Sequence, residues 1–184
     1  MTKLYTRSGD NGFSGLLGKD RLPKYNLVFE TLGDLDEASA ALGIVRASLS
    51  SPDLKTMILT IQRDLYKIMA QISSTKETIH HFKGIGKEQV SWLEKQTDRL
   101  GDLITLPKDF IVPGDTIIDG HVNLARTIIR RAERSVTRFY HEQEIENPDT
   151  LSYLNRLSSL CYALGVYVNN RGDKKTTTLA KERK

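Results

Sequence analysis

Apolar residues return at alternating steps of three and four in five separate stretches, the spacing that lines up one face of an α-helix. The first stretch carries Val28, Leu32, Leu35, Leu42 and Val45, and the second carries Ile58, Ile61, Leu65, Ile68 and Ile72. The third has Val90, Leu93, Leu100 and Ile104 and stops before Pro107. The fourth has Ile118, Val122, Ala125, Ile129, Ala132, Val136 and Phe139, and the fifth has Leu154, Leu157, Cys161, Leu164 and Val168. Ser51-Pro52 supplies a cap and a first-turn proline to the second helix, and Asn147-Pro148 starts the fifth. Apart from a short extended piece at residues 3–6, no alternation long enough for a strand is present. The pattern predicts an all-α, five-helix bundle, up-and-down in character, with its packing order left open. The loop Thr75 to Gly86 is expected to vary without touching the core.

At 184 residues the chain fits one domain, expected over residues 1–170, with 171–184 as a basic flexible tail. That tail carries several of the positive charges behind the net +4, so the remainder is close to neutral and nucleic acid is not an expected partner. Aromatic residues at 7% are too few for a base-stacking surface. No apolar run approaches the roughly 18 residues of a membrane span, and the N-terminus has no signal-peptide stretch. One cysteine, Cys161, has no internal disulfide partner, and a cytoplasmic location is expected.

Chemistry concentrates in a few segments. Residues 6–24 place Gly9, Gly12, Gly15 and Gly18 at every third position with basic residues on both sides. Such a run can bring backbone N–H groups to an anion, and Arg7, Ser8, Ser14 and Lys24 add donors suited to phosphate. It is not a Walker loop, because neither the Gly-Lys-Ser/Thr ending nor the preceding strand is there. A plain flexible arm is the alternative.

On the fourth helix Asp119, Arg126, Arg130 and Glu133 fall on one stripe, about a quarter-turn from the core stripe. A solvated charged flank is one reading. The other is anion binding, favoured by the use of arginine alone, whose flat fork of donors matches phosphate and carboxylate. Phe110, before the Pro113-Gly114 turn, could plug the bundle end. Asn155-Arg156 interrupts an apolar pattern and implies a polar partner for Asn155. Glu77 and His80 have the spacing of a ferritin-like iron ligand pair but lack the second copy such sites need, so His80-His81 reads as solvated. Cys161 occupies a core position.

Taken together, Tyr5 to Gly12, Arg21 to Lys24, Gly33 to Glu37, Phe110 to Gly114, Ala125 to Arg134 and Asn155 to Ser158 resemble the motifs of the trimeric, helical-bundle ATP:cob(I)alamin adenosyltransferases, in the same order and spacing. The resemblance implies a homotrimer with ATP held between neighbours. It assigns Thr6, Arg7, Ser8, Gly9, Asp10, Ser14, Gly15 and Lys24 to an extended nucleotide-binding arm, and Arg130, Arg131, Glu133, Arg134 and Asn155 to helices closing on the same ATP. It makes Asp36 and Arg126 a salt bridge across the subunit interface. It sets Phe110 against the lower face of cobalamin, where it displaces the axial ligand. Cob(I)alamin is itself the nucleophile, so Arg130 and Mg²⁺ serve the leaving triphosphate. A reductase and an adenosylcobalamin-dependent mutase are the implied partners, and a non-catalytic carrier or sensor of ATP or adenosylcobalamin is the alternative. The chain departs from the pattern at Asp115, Asn123, Ser159 and Val166, which stand where glycine, histidine, aspartate and arginine are common.

Overall fold

The computed structural model describes residues 4–75, 77–170 and 177–181. Five helices dominate: α1 (Leu27–Ser48), α2 (Pro52–Ile72), α3 (Lys87–Gly101), α4 (Ile117–Glu142) and α5 (Pro148–Asn170). Their starts are capped as the sequence dictates. Asn26 Oδ1 accepts from the Val28 N–H, Ser51 Oγ from Leu54, Thr116 Oγ1 from Asp119 and Asn147 Oδ1 from Thr150. The third helix ends at Gly101, so Ile104 lies beyond it.

Each stripe is buried. Leu35, Leu42, Ile58, Ile61, Leu65, Ile68, Leu93, Ile129, Leu154 and Leu157 form one continuous core. Helix α4 sits between α1 and α5, α2 packs on α1, and α3 packs on α5. The packing order left open by periodicity is therefore α2, α1, α4, α5, α3. A polar bridge ties α2 to α5 inside this core: the Tyr153 hydroxyl donates to Asp64 Oδ2 at 3.0 Å, and Lys67 Nζ donates to Asp64 Oδ1 at 2.7 Å. Burial, and after it the Asp64 charge, push the Tyr153 phenol well above its ordinary pKa, which keeps it a donor. Among the described residues, no helix is long and apolar enough to cross a membrane.

Three expectations are corrected. The glycine-rich arm is not simply extended: β1 (Phe13–Gly15) and β2 (Arg21–Pro23) form an antiparallel ribbon, pairing Ser14 with Leu22. Three-residue strands are too short to leave an alternating signature. Leu4, Tyr5 and Thr6 are not in a strand, and Lys3 lies outside the described residues. The 75–86 loop does touch the core, since Thr75 and Ile85 are buried and a short 3₁₀ turn spans Ile79–His81. The tail is not wholly free. Residues 171–176 and 182–184 lie outside the described residues, but 177–181 run against residues 110–112, with an antiparallel bridge between Ile111 and Leu179.

Tyr153→Phe removes a donor from a buried carboxylate and should lower the unfolding free energy by about 1–3 kcal/mol. Urea denaturation monitored by far-UV circular dichroism measures this, and an unchanged midpoint would show that the bridge contributes nothing.

Candidate active site

Helix α4 carries two pockets along its length. The first, about 450 Å³, is lined by Lys108, Asp109, Phe110, Ile111 and Pro113 from the α3–α4 connection, by Asn123 and Arg126 of α4, and by Tyr162 of α5. The second, about 500 Å³, is lined by Arg130, Glu133, Arg134, Thr137, Arg138, His141 and Glu142 of α4 and by Asn155 of α5. Both volumes suit small ligands. Arg126 and Arg130 are four residues apart, so the pockets adjoin at a rise of about 6 Å along the helix.

The expected polar stripe is thus divided among three environments. Asp119 is buried, accepting from the Gly114 N–H at 2.7 Å and from Asn123 Nδ2, also at 2.7 Å. Asn123 Oδ1 in turn accepts from Arg126 Nε at 3.2 Å. A chain of hydrogen bonds therefore runs from the Pro113-Gly114 turn to the guanidinium of the first pocket. Gly114 has φ of 112°, a conformation costly for any residue with a Cβ. Arg130 and Glu133 face the second pocket. The partner expected for Asn155 is Glu133, whose Oε1 accepts from Asn155 Nδ2 at 3.0 Å.

Phe110 does not plug the bundle. It is 88% exposed at the rim of the first pocket, an unusual position for a phenylalanine. Arg131 turns away from the second pocket. Its Nε donates to Asp34 at 3.1 Å, its Nη2 donates to Glu37, and Ser135 also donates to Asp34. This cluster binds α4 to α1, so Arg131, expected on the nucleotide, is engaged with α1 in this chain. Asp36 is exposed on α1 and makes no ion pair with Arg126 within the chain among the described residues.

The arm residues come together as a turn in front of the ribbon. The Asp10 N–H donates to the Arg7 carbonyl and Gly12 to Gly9, both at 3.2 Å, while Thr6 Oγ1 and Ser8 Oγ are 2.8 Å apart. Arg7 has φ of 60°, sparsely populated for a non-glycine residue. Lys24 lies over Gly9, where an added Cβ would stand 3.0 Å from Nζ. Arg21 clasps the turn by donating to the carbonyls of Ser8 at 2.6 Å and Phe13 at 3.0 Å. Leu17 donates its N–H to Ser73 and its carbonyl accepts from Thr78, anchoring the ribbon beyond the end of α2. Ser14 is half-buried and Gly15 exposed. None of these arm residues lines either pocket of its own chain.

Sequence reading missed Thr137, Arg138 and His141, although they continue the three-four stepping from Arg130 and Arg134 and that signal was available. Tyr162 gave no signal, because it lies next to a core position and only the fold brings it to the first pocket. His80 and His81 are exposed with their rings 3.9 Å apart.

Residues 4–168 match the family profile described as cobalamin adenosyltransferase. The chain is 36% identical over 173 residues to the corrinoid adenosyltransferase of Bacillus subtilis, covering 92% of this chain and 88% of that one. It is 30% identical to a corrinoid adenosyltransferase of Citrobacter freundii, covering 89% and 93%. Among solved structures it resembles a PduO-type ATP:corrinoid adenosyltransferase from Lactobacillus reuteri complexed with cobalamin and ATP, a variant with one phenylalanine changed to alanine. The TM-score is 0.89 at 29% identity, over 98% of this chain and 100% of that one. An arginine-to-lysine variant of the same protein with ATP gives 0.87.

Cys161 is buried in this bundle, and burial pushes its thiol up to about 12. The raised value means that the folded chain keeps the proton as pH rises past the ordinary thiol range. The thiolate is accordingly scarce at neutral pH. Labelling by an aromatic disulfide reagent should therefore follow unfolding alone, and fast labelling of native protein would contradict this burial. Phe110→Ala should change unfolding free energy by less than about 0.5 kcal/mol, because the ring supports nothing in the bundle. Thermal denaturation reads this directly.

Proposed function

The chain belongs to the cobalamin adenosyltransferase family, and we propose how its own residues carry out the reaction. It transfers the 5′-deoxyadenosyl group of ATP to cob(I)alamin, giving adenosylcobalamin and triphosphate. The observation that carries the residue assignment is the juxtaposition on α4 of an arginine-rich pocket and an apolar-rimmed pocket one helical turn apart. The arginine-rich second pocket suits a polyanion, and the first pocket, rimmed by Phe110, suits a flat, largely apolar macrocycle.

Cobalt(I) donates its electron pair to the ATP C5′ as the C5′–O bond breaks and that pair leaves on triphosphate. No side-chain nucleophile is required. The protein must hold cobalt and C5′ in line and stabilise the charge developing on the leaving oxygen. Arg130 and Arg134 meet that charge, joined by Arg138 and His141 at the far end of the pocket. Asn155 and Glu133 orient each other and the nucleotide. Glu133 is the carboxylate the pocket would offer to a nucleotide-bound Mg²⁺, which would supply further charge neutralisation, Glu142 being held by Arg138 at 2.8 Å. Phe110 faces the lower side of the corrin, displacing the axial ligand and excluding water from the reduced metal.

Among the described residues the nucleotide pocket is lined by α4 and α5, while the glycine turn with Thr6, Arg7, Ser8, Gly9, Asp10, Ser14, Gly15 and Lys24 stands apart from it within the chain. A neighbouring copy placing its turn over this pocket completes the site, and a homotrimer gives three such closures. Asp36, exposed and without Arg126 in its own chain, is then the partner of Arg126 across the interface. Arg131 acts indirectly by fixing α4 against α1. The lone buried Cys161 fits a reducing cytoplasm.

Purified protein with ATP, Mg²⁺ and chemically reduced cobalamin should form adenosylcobalamin, followed by absorbance. Binding of both substrates without turnover would overturn the assignment. Arg130→Ala should lower kcat about 10²–10³-fold, the loss typical when a donor to a developing oxyanion is removed. Retention of full activity would remove Arg130 from the site. Mixing inactive Arg130→Ala and Lys24→Ala proteins, with subunit exchange, should restore about one quarter of the sites, because each site takes its arm and its α4 from different protomers. No recovery in mixtures shown by native mass spectrometry to be exchanged would place both halves in one chain.

A further inference from the structure

We propose that Asp115 is a positioning residue for the corrin-facing loop: its grip on Thr178 holds residues 177–181 along residues 110–112 and thereby sets where Phe110 stands. This rests on the reading of Phe110 given above.

The contacts are specific. Asp115 Oδ1 accepts from the Thr178 hydroxyl at 2.6 Å, and Oδ2 accepts from the Thr178 N–H at 2.8 Å and from Asn169 Nδ2 at 3.2 Å. Beside this grip two backbone bonds continue the pairing: Val112 N–H to the Thr178 carbonyl and Ala180 N–H to the Phe110 carbonyl, both at 2.8 Å. One carboxylate thus joins three pieces of chain, the α3–α4 connection, the last turn of α5 through the buried Asn169, and the C-terminal segment. The Thr178 hydroxyl and then its amide pull the Asp115 carboxyl below its usual range, so the acceptor stays charged at neutral pH.

Phe110 makes this arrangement consequential. An exposed ring is positioned only as well as its backbone, and the Phe110 carbonyl is held by residue 180. On the α4 side the same loop is held at Gly114 by Asp119. The loop is therefore fixed at both shoulders, and Asp115 secures the shoulder belonging to the C-terminal segment.

The test uses full-length wild type, Asp115→Ala, Asp115→Asn, Thr178→Val and the Asp115→Ala/Thr178→Val double variant. Hydrogen exchange at the Val112 and Ala180 amides is measured without substrates. Electron paramagnetic resonance of cob(II)alamin with ATP reports the fraction whose lower axial ligand is displaced, and steady-state assays give kcat and the KM for ATP. Asp115→Ala should accelerate both amides at least about tenfold, the scale of losing a hydrogen bond to a charged acceptor. It should lower the displaced fraction and kcat while leaving the KM for ATP within about twofold, since the nucleotide pocket is untouched. Asp115→Asn should restore most of each readout. Thr178→Val should act in the same direction, and the double variant should fall short of the sum of the two losses.

Unchanged exchange in Asp115→Ala overturns the proposal, as does faster exchange with the displaced fraction and kcat intact. A wild-type protein that leaves the lower ligand in place overturns the Phe110 reading and the proposal with it. That failure is distinguishable from failure of the Asp115 grip, because the exchange rates are read without cobalamin.

Discussion

The apolar seam of α4 is the constraint on which the rest depends. Val122, Ala125, Ile129, Ala132 and Val136 are buried against α1 and α5, and their burial fixes the rotation of the helix about its own axis. Once that rotation is set, Arg126 and Arg130 face the two pockets at a separation given by helix geometry. Reaction between two bound substrates requires this rigidity, since near-attack geometry is lost with displacements of an ångström. The Arg131–Asp34–Glu37 cluster adds a polar lock between α4 and α1 on the flank of the same seam. Being exposed, it serves registration more than stability.

The helices were legible because each has a regular apolar stripe, and four of the five have a side-chain cap at their start. The starts of α2 at Ser51-Pro52 and of α5 at Asn147-Pro148 could be read to the residue for that reason. The ribbon was not legible, because three residues per strand carry no period and its pairing depends on Arg21 reaching back to Ser8 and Phe13. The buried role of Ile85 was hidden by its place in an irregular loop.

Legibility of the site followed a similar division. Arg130 and Glu133 shared a stripe by helical spacing, Arg134 and Asn155 joined them through the resemblance, and all four line one pocket. Arg131 could not be separated from them by spacing, since only the packing of α1 shows which carboxylates it meets. Asp119 shared the stripe but is buried beneath Gly114, a long-range contact invisible to periodicity. For Phe110 the sequence offered two opposite readings, and its exposure speaks against the bundle plug.

The fastening of the ribbon beyond α2 has an evolutionary consequence. Gly18 sits where an added Cβ would lie 2.6 Å from Thr75, and Leu17 is bonded on both sides to residues 73 and 78. A lineage acquiring insertions between α2 and α3 would therefore drag on the glycine turn. Drift in that segment is constrained by a duty performed elsewhere, although none of its described residues lines either pocket.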